Sequence, residues 1–263
     1  MNHPFRFGVR AHDFGRLPAK ELAARIEAKG FVAIQLALNK AIEGLDLKPG
    51  DLNPGLAFSI GEAFRSHGIQ IAVLGCYINP LHPDLAKRRE LLEWFCEHLR
   101  VARDFGCGVV ALETGSLHPE YLPHPDTHTE QGFQESLKSL SVLVAEAERF
   151  GVTVGIEGVT SHAVSNPEKM RRMLQSLASP NVQVVFDPVN LISIENYQDA
   201  QRIVEESFQL FGDRIAVVHA KDYRVGNDAL ETVAPGKGEF VYGSILRYLA
   251  TRKPGVSILL EET

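Results

Sequence analysis

Four apolar runs in the second half of the chain each close on a side chain that can carry a proton or hold a cation. They are 152–157 (VTVGIE) ending on Glu157, 182–187 (VQVVFD) on Asp187, 215–219 (IAVVH) on His219 and 256–261 (VSILLE) on Glu261. Any one of these alone reads as a helix cap, a solvated loop acid or a satisfied core histidine; four at equivalent positions form a pattern. Three carboxylates and an imidazole converging in one cavity repel one another unless a divalent cation neutralises them. The residues therefore point to a metal held by Glu157, Asp187, His219 and Glu261. Oxygen and nitrogen donors without a thiolate suit Mn²⁺, Mg²⁺, Co²⁺ or Zn²⁺ and do not choose among them. Side chains alternate along a strand, so Glu261 shares the face of Ser257 and Leu259, while Glu262 shares the apolar face of Val256, Ile258 and Leu260. Glu261 is thus the residue expected to point inward.

The elements that must position these residues follow from periodicity. Strand-like runs occur at 5–10, 31–36, 69–75, 109–114, 152–157, 182–187, 215–219 and 256–261. Helical periodicity fills the gaps at 19–29, 55–67, 84–105, 131–150, 167–177, 198–211 and 244–252, with Gly30, Gly68, Gly106, Gly151 and Gly212 as stop signals. Asn166-Pro167 is the complementary start signal. Strict strand and helix alternation implies a parallel sheet with crossover helices, and eight units in 263 residues is the arithmetic of an α/β fold of the (β/α)8 TIM-barrel type. No linker breaks the chain, so 1–263 reads as a single TIM-barrel domain. The sequence stops directly after the eighth strand, without the last helix. Either the chain continues, or a homo-oligomer shields that strand's outer face. In such a barrel the strand C-termini form the active-site rim, and strands five to eight are neighbours there.

Composition narrows the partners. With 27 Lys+Arg against 33 Asp+Glu the net charge is −6, and no basic run exceeds Lys87-Arg88-Arg89, which speaks against nucleic acid. No apolar stretch is long enough to span a bilayer, and the first ten residues lack an apolar leader segment, so a cytoplasmic protein without membrane contact is expected. Cys76, Cys96 and Cys107 have neither disulfide nor zinc-knuckle spacing and read as reduced, buried thiols. The first strand is followed by Ala11-His12-Asp13-Phe14-Gly15, not a phosphate-binding glycine turn.

The chain resembles the xylose isomerase-like TIM barrels, specifically the sugar phosphate isomerase/epimerase superfamily. The resemblance rests on Gly155-Ile-Glu157, Phe186-Asp187, His219-Ala-Lys-Asp222, Pro235-Gly-Lys-Gly-Glu239 and Leu260-Glu261. It implies one divalent metal on Glu157, Asp187, His219 and Glu261, with Glu157 and Glu261 also acting as an acid/base pair on a small carbohydrate. The chemistry is removal of a proton next to a carbonyl, which needs a positioned base and a stabiliser for the enediolate oxygen. Two carboxylates on opposite faces give epimerisation; return of the proton to the adjacent carbon gives isomerisation. Dehydration of the inosose or dehydroshikimate type begins with the same step and is the alternative. Some epimerases place a histidine three residues after the strand-six aspartate; here Asn190 stands there, able to hydrogen-bond a hydroxyl but not to shuttle a proton. Asn79 and Glu113 are expected to face the cavity, either contacting substrate or hydrogen-bonding the loops, Asn190 to contact substrate, and Lys221, Asp222 and Arg224 to order the following loop or bind a phosphate. An endonuclease IV-like nuclease lacks its extra histidines here, and a non-catalytic sugar-binding barrel would not need four convergent ligands.

Overall fold

Short β-branched runs punctuated by glycine and proline close into one parallel barrel in the computed structural model, which describes residues 5–262. Its strands are β1 (Arg6–Arg10), β2 (Ala33–Leu36), β3 (Gln70–Gly75), β4 (Val109–Glu113), β5 (Thr153–Glu157), β6 (Val182–Phe186) and β7 (Ile215–Ala220). A hairpin of β8 (Asp222–Val225) and β9 (Leu230–Val233) follows, and β10 (Ser257–Leu260) pairs with both β7 and β1 to complete the ring. Around it lie α1 (Ala19–Ala28), α2 (Leu38–Ala41), α3 (Pro54–Arg65), α4 (Leu85–Val101), α5 (Glu130–Phe150), α6 (Pro167–Leu177), α7 (Ala200–Phe211) and α8 (Gly243–Arg252). No helix among the described residues is long and apolar enough to cross a membrane.

The helix starts follow their caps. Asn166 accepts a hydrogen bond from the Lys169 amide (2.9 Å) with Pro167 opening α6. Gly30, Gly68, Gly106 and Gly151 take the positive φ expected of a helix stop. Gly212 does not (φ −58°); a Cβ there would meet the Tyr248 ring, so close packing accounts for that glycine.

Strict alternation is corrected by the antiparallel β8–β9 hairpin between β7 and α8. Its organiser is Asp222. One carboxylate oxygen accepts from the amides of Tyr223 and Phe240 (both 2.8 Å), the other from Gly236 and Gly238 (both 3.0 Å). Four amides on one buried carboxylate replace the long-range pairing a loop would otherwise lack.

The strand faces divide the core in two. Outward residues join the large apolar layer under the helices, whereas Ala33, Ala72, Val73, Ala111, Val185, Val217 and Leu259 form a separate cluster that fills the barrel. One pleat further along each strand the polar rim begins. Gly8 leads to Arg10, Ala33 to Gln35, Ala111 to Glu113, Gly155 to Glu157, Val185 to Asp187, Val217 to His219 and Leu259 to Glu261. The packed interior is thus the floor on which the site stands. Gly8 is its tightest point: a Cβ there would fall on the Ala33 carbonyl and within 2.6 Å of a Leu259 methyl. Because the Ala33 carbonyl is backbone and cannot rotate away, Gly8→Ala is expected to cost about 3 kcal/mol of stability, read as a lowered urea midpoint. An unchanged midpoint would show that β1 can retreat from β2.

Candidate metal centre and cavity

Glu157 ends β5, Asp187 follows β6, His219 lies in β7 and Glu261 follows β10, and all four are buried. Donor atoms of Glu157, Asp187 and His219 lie within 4.8 Å of one another. Glu261 stands beside this trio, its Oε1 3.3 Å from His219 Nδ1. Glu262 turns away, exposed and at φ 59°, with its carboxylate on Arg10 at 3.0 Å.

Each carboxylate is held differently. Glu157 Oε1 accepts from Asn190 Nδ2 (2.7 Å), and its Oε2 accepts from the Tyr77 hydroxyl (3.3 Å), which in turn accepts from Gln35 Nε2 (2.9 Å). Asp187 Oδ1 accepts from the amides of Val189 (2.9 Å) and Asn190 (3.1 Å), while its Oδ2 faces the Lys221 ammonium at 2.7 Å. Glu261 Oε2 lies 3.5 Å from both Arg10 and Lys221.

These residues fit a divalent cation. Both ring nitrogens of His219 are fully buried without a hydrogen-bond partner. Carboxylate oxygens of Glu261 and Glu157 approach Nδ1 at 3.3 and 3.5 Å but outside hydrogen-bond geometry. Burial opposes charge on this ring, yet the two glutamates outweigh it and push His219 up to about 9. A divalent cation would take the place of the His219 proton among the carboxylates, meeting only oxygen and nitrogen donors.

Above the centre lies a cavity of about 310 Å³, a size suited to a small molecule. Arg10, Gln35, Glu113, Glu157, Asn190 and Glu261 all reach it from strand ends or the turn after β6, joined by His12, Lys40, Tyr77, Tyr121 and Lys221. Glu113 and Asn190 are therefore where they were expected. Asn79 stands apart from the cavity, and Asp222 and Arg224 take the loop-ordering alternative and not the phosphate-binding one. Asn79 spends its amide on the carbonyls of Ser116 (2.9 Å) and His118 (3.1 Å) and accepts from the amides of Leu81 and Ser116, so it ties down the loop after β4. Asp222 is consumed by the hairpin amides, and Arg224 is exposed, donating to the Lys237 carbonyl (3.0 Å).

Two unassigned residues were marked by the rule that selected the late strands, since Arg10 closes β1 and Gln35 interrupts the apolar β2. Tyr77 and Tyr121 come from loops and carry no such mark.

The sequence profile of the xylose isomerase-like TIM barrels matches residues 21–263. The chain belongs to this family. No curated protein matches it. Among solved structures, the 3-keto-D-glucoside 4-epimerase YcjR from E. coli shares 15% identity at a TM-score of 0.73, over 98% of this chain and 92% of that one. The probable 3-DHS dehydratase AsbF from Bacillus anthracis shares 14% at 0.72, over 98% and 92%. The IOLI protein, solved with a zinc atom, shares 17% at 0.72, over 97% and 87%. At these identities the likeness is one of fold.

Within this xylose isomerase-like barrel, Glu113 is the acid whose ionisation burial hinders most visibly. Burial, then the neighbouring Glu157 charge, pushes it up to about 7. A carboxyl whose folded value is raised contributes stability that is complete below its ordinary 4.5 and lost as pH rises through about 7. In metal-free protein kept in chelator, Glu113→Gln should remove that loss. The stability of the variant relative to wild type should therefore rise between about pH 4.5 and 7. Urea midpoints of both proteins across this window check it, and a constant difference would refute the raised value. His162, pushed by burial down to about 4, works in the opposite sense, and the parallel variant His162→Gln in both backgrounds separates its share.

Proposed function

We propose that the protein is a divalent-metal-dependent sugar isomerase or epimerase that removes a proton next to a carbonyl. The observation that carries this reading is the convergence of Glu157 and Glu261 on one cavity from either side of a buried, unpartnered His219. The epimerase and dehydratase among the structural relatives support the same range of carbohydrate chemistry. Three buried free cysteines suit a reducing compartment, and we place the protein in the cytoplasm.

Glu157, Asp187 and His219 would hold the metal, with Glu261 beside them. The bound ion would supply a Lewis acid for the substrate carbonyl and its neighbouring hydroxyl. The protein's own groups do the rest. Asn190 and Tyr77 orient Glu157 through both oxygens, fixing the carboxylate that would take the proton. Glu261, drawn between Arg10 and Lys221, presents the second carboxylate. Lys221, whose proton is held more tightly because Asp187 and Glu261 outweigh its burial, keeps a positive charge near the developing oxyanion. Reprotonation by Glu261 on the opposite face inverts a carbinol centre, whereas return of the proton by Glu157 to the next carbon moves the carbonyl. Expulsion of a β-hydroxyl instead gives dehydration, so the products identify the branch.

Two outcomes are expected. His219→Ala should weaken binding of Mn²⁺, Co²⁺ or Zn²⁺ by at least tenfold in calorimetric titration, and wild type binding none of these ions or Mg²⁺ better than micromolar would sink the metal reading. Glu157→Gln should slow deuterium exchange from solvent into the true ketose or keto-acid substrate by on the order of 10²–10⁴, with an unchanged melting temperature. Near-normal exchange would remove Glu157 from the chemistry.

A further inference from the structure

Tyr121 is bulky yet sits in the left-handed region at φ 62°, a conformation that costs on the order of 1–3 kcal/mol and needs support from its surroundings. The support is visible. Asn79 binds the loop at Ser116 and His118, Ser116 Oγ donates to the Leu122 carbonyl (2.5 Å), and the Tyr121 amide donates to the His118 carbonyl (3.0 Å). The ring stacks on His162 with centroids 4.8 Å apart and 26° between planes. What this scaffold presents is a buried hydroxyl set against the Glu113 carboxyl at the cavity wall, outside regular hydrogen-bond geometry and with Glu113 as its polar neighbour. His162 Nδ1 is unpartnered, 3.5 Å from Glu113 Oε2.

We propose that Glu113 and Tyr121, backed by His162, form a subsite for an uncharged hydroxyl of the substrate remote from the reacting carbon, so that the substrate is a free polyhydroxy ketone or aldehyde and not a phosphate ester at that end. This rests on the sugar isomerase reading of the cavity. A phenol O–H and a carboxylate oxygen side by side match a carbinol, which both accepts and donates. A phosphate dianion only accepts, would meet no ion-pairing cation on Glu113 and would oppose ionisation of that carboxyl further. Among the described residues, no lysine or arginine forms an ion pair with Glu113; of the cavity's cations, Arg10 pairs with Asp13, Glu261 and Glu262, Lys40 acts on His12, and Lys221, though near enough to favour charge on Glu113, is held by Asp187.

Calorimetric titration of the metal-loaded protein with the unreactive polyols xylitol and D-glucitol, and with D-glucitol 6-phosphate, tests this. The free polyols should bind more tightly than the phosphate ester. Tyr121→Phe, which keeps the stacked ring, should weaken the free polyols at least tenfold and leave metal affinity unchanged. Glu113→Gln should likewise weaken the free polyols at least tenfold, measured at saturating metal because Glu113 neighbours Glu157, and serves alone if the first variant fails to fold. Polyols that fail to bind wild type, bind both variants as tightly as wild type, or bind less well than the phosphate ester would overturn the subsite. If polyols bind as expected but no ketose, aldose or keto-acid exchanges deuterium, the isomerase reading falls and the subsite stands. If exchange proceeds but the variants bind like wild type, only the subsite falls.

Discussion

Negative charge buried at the barrel rim is the constraint around which the rest of the molecule is arranged. Glu157, Asp187 and Glu261 are 3%, 2% and 6% exposed, and removing a single carboxylate from water costs several kcal/mol unless partners compensate. The compensation arrives from every neighbouring strand end. β1 contributes Arg10, the turn after β6 contributes Asn190 and two backbone amides, the residue after β7 contributes Lys221, and β3 leads to Tyr77. Arg10 illustrates the coupling: burial disfavours its charge, yet Asp13, Glu261 and Glu262 bind its proton more tightly than usual. Removing any one of these partners strands a carboxylate, so the rim behaves as a unit and not as a sum of pairs.

The same constraint explains the shape of the layer below. Polar residues can end seven strands at one level only if the preceding inward residues pack without pushing the strands apart. Glycine or alanine at positions 8, 33, 111 and 155 faces valine or leucine at 185, 217 and 259, and this large-against-small arrangement fills the barrel. The pairing of Glu113 with Glu157 and of Ala111 with Gly155 carries the register from that packed layer directly to the acids. Register therefore acts as a chemical variable, because slipping β4 by one residue would turn Glu113 outward.

Much of this was legible in the sequence because period and polarity coincide there. The apolar runs that end on Glu157, Asp187, His219 and Glu261 announce both strand and site, and the alternation of Ser257, Leu259 and Glu261 marks which of two adjacent glutamates turns inward. What stayed open or escaped has physical causes. Asn79, Asp222 and Arg224 are polar residues near strand ends whose hydrogen bonds are spent on backbone groups distant in sequence, and no local pattern distinguishes such a loop anchor from a substrate contact. The β8–β9 hairpin was hidden because its register depends on the Asp222 carboxylate and not on alternating hydrophobicity. Tyr121 was invisible for the converse reason: its place depends on a strained φ and a stacked partner 41 residues away, neither encoded in its neighbours.

The distribution of incomplete hydrogen bonding completes the physical case for one functional centre. Buried side-chain atoms without a partner are rare in folded proteins and call for an explanation where they occur. Among the described residues they are His12 Nδ1, Gln35 Oε1, Tyr121 Oη, His162 Nδ1, both nitrogens of His219, and Arg214 Nε, while Asp187 Oδ2 has the Lys221 ammonium at 2.7 Å as its counter-charge. Arg214 is a packing arginine whose other nitrogen already serves the carbonyls of Ser179 and Val182 (both 2.6 Å). Every other atom belongs to a residue that lines the cavity, stands behind its wall or belongs to the carboxylate–imidazole group beneath it. A fold that satisfies four backbone amides with the single carboxylate of Asp222 has no general difficulty in pairing its polar atoms. It leaves them open around one space, where two kinds of partner would complete them: a cation at the level of His219 and a hydroxyl-bearing molecule at the level of Tyr121. The stability forgone at those atoms is recovered only on binding, so the cost of leaving them unpaired and the affinity for ligand are two measures of the same interaction.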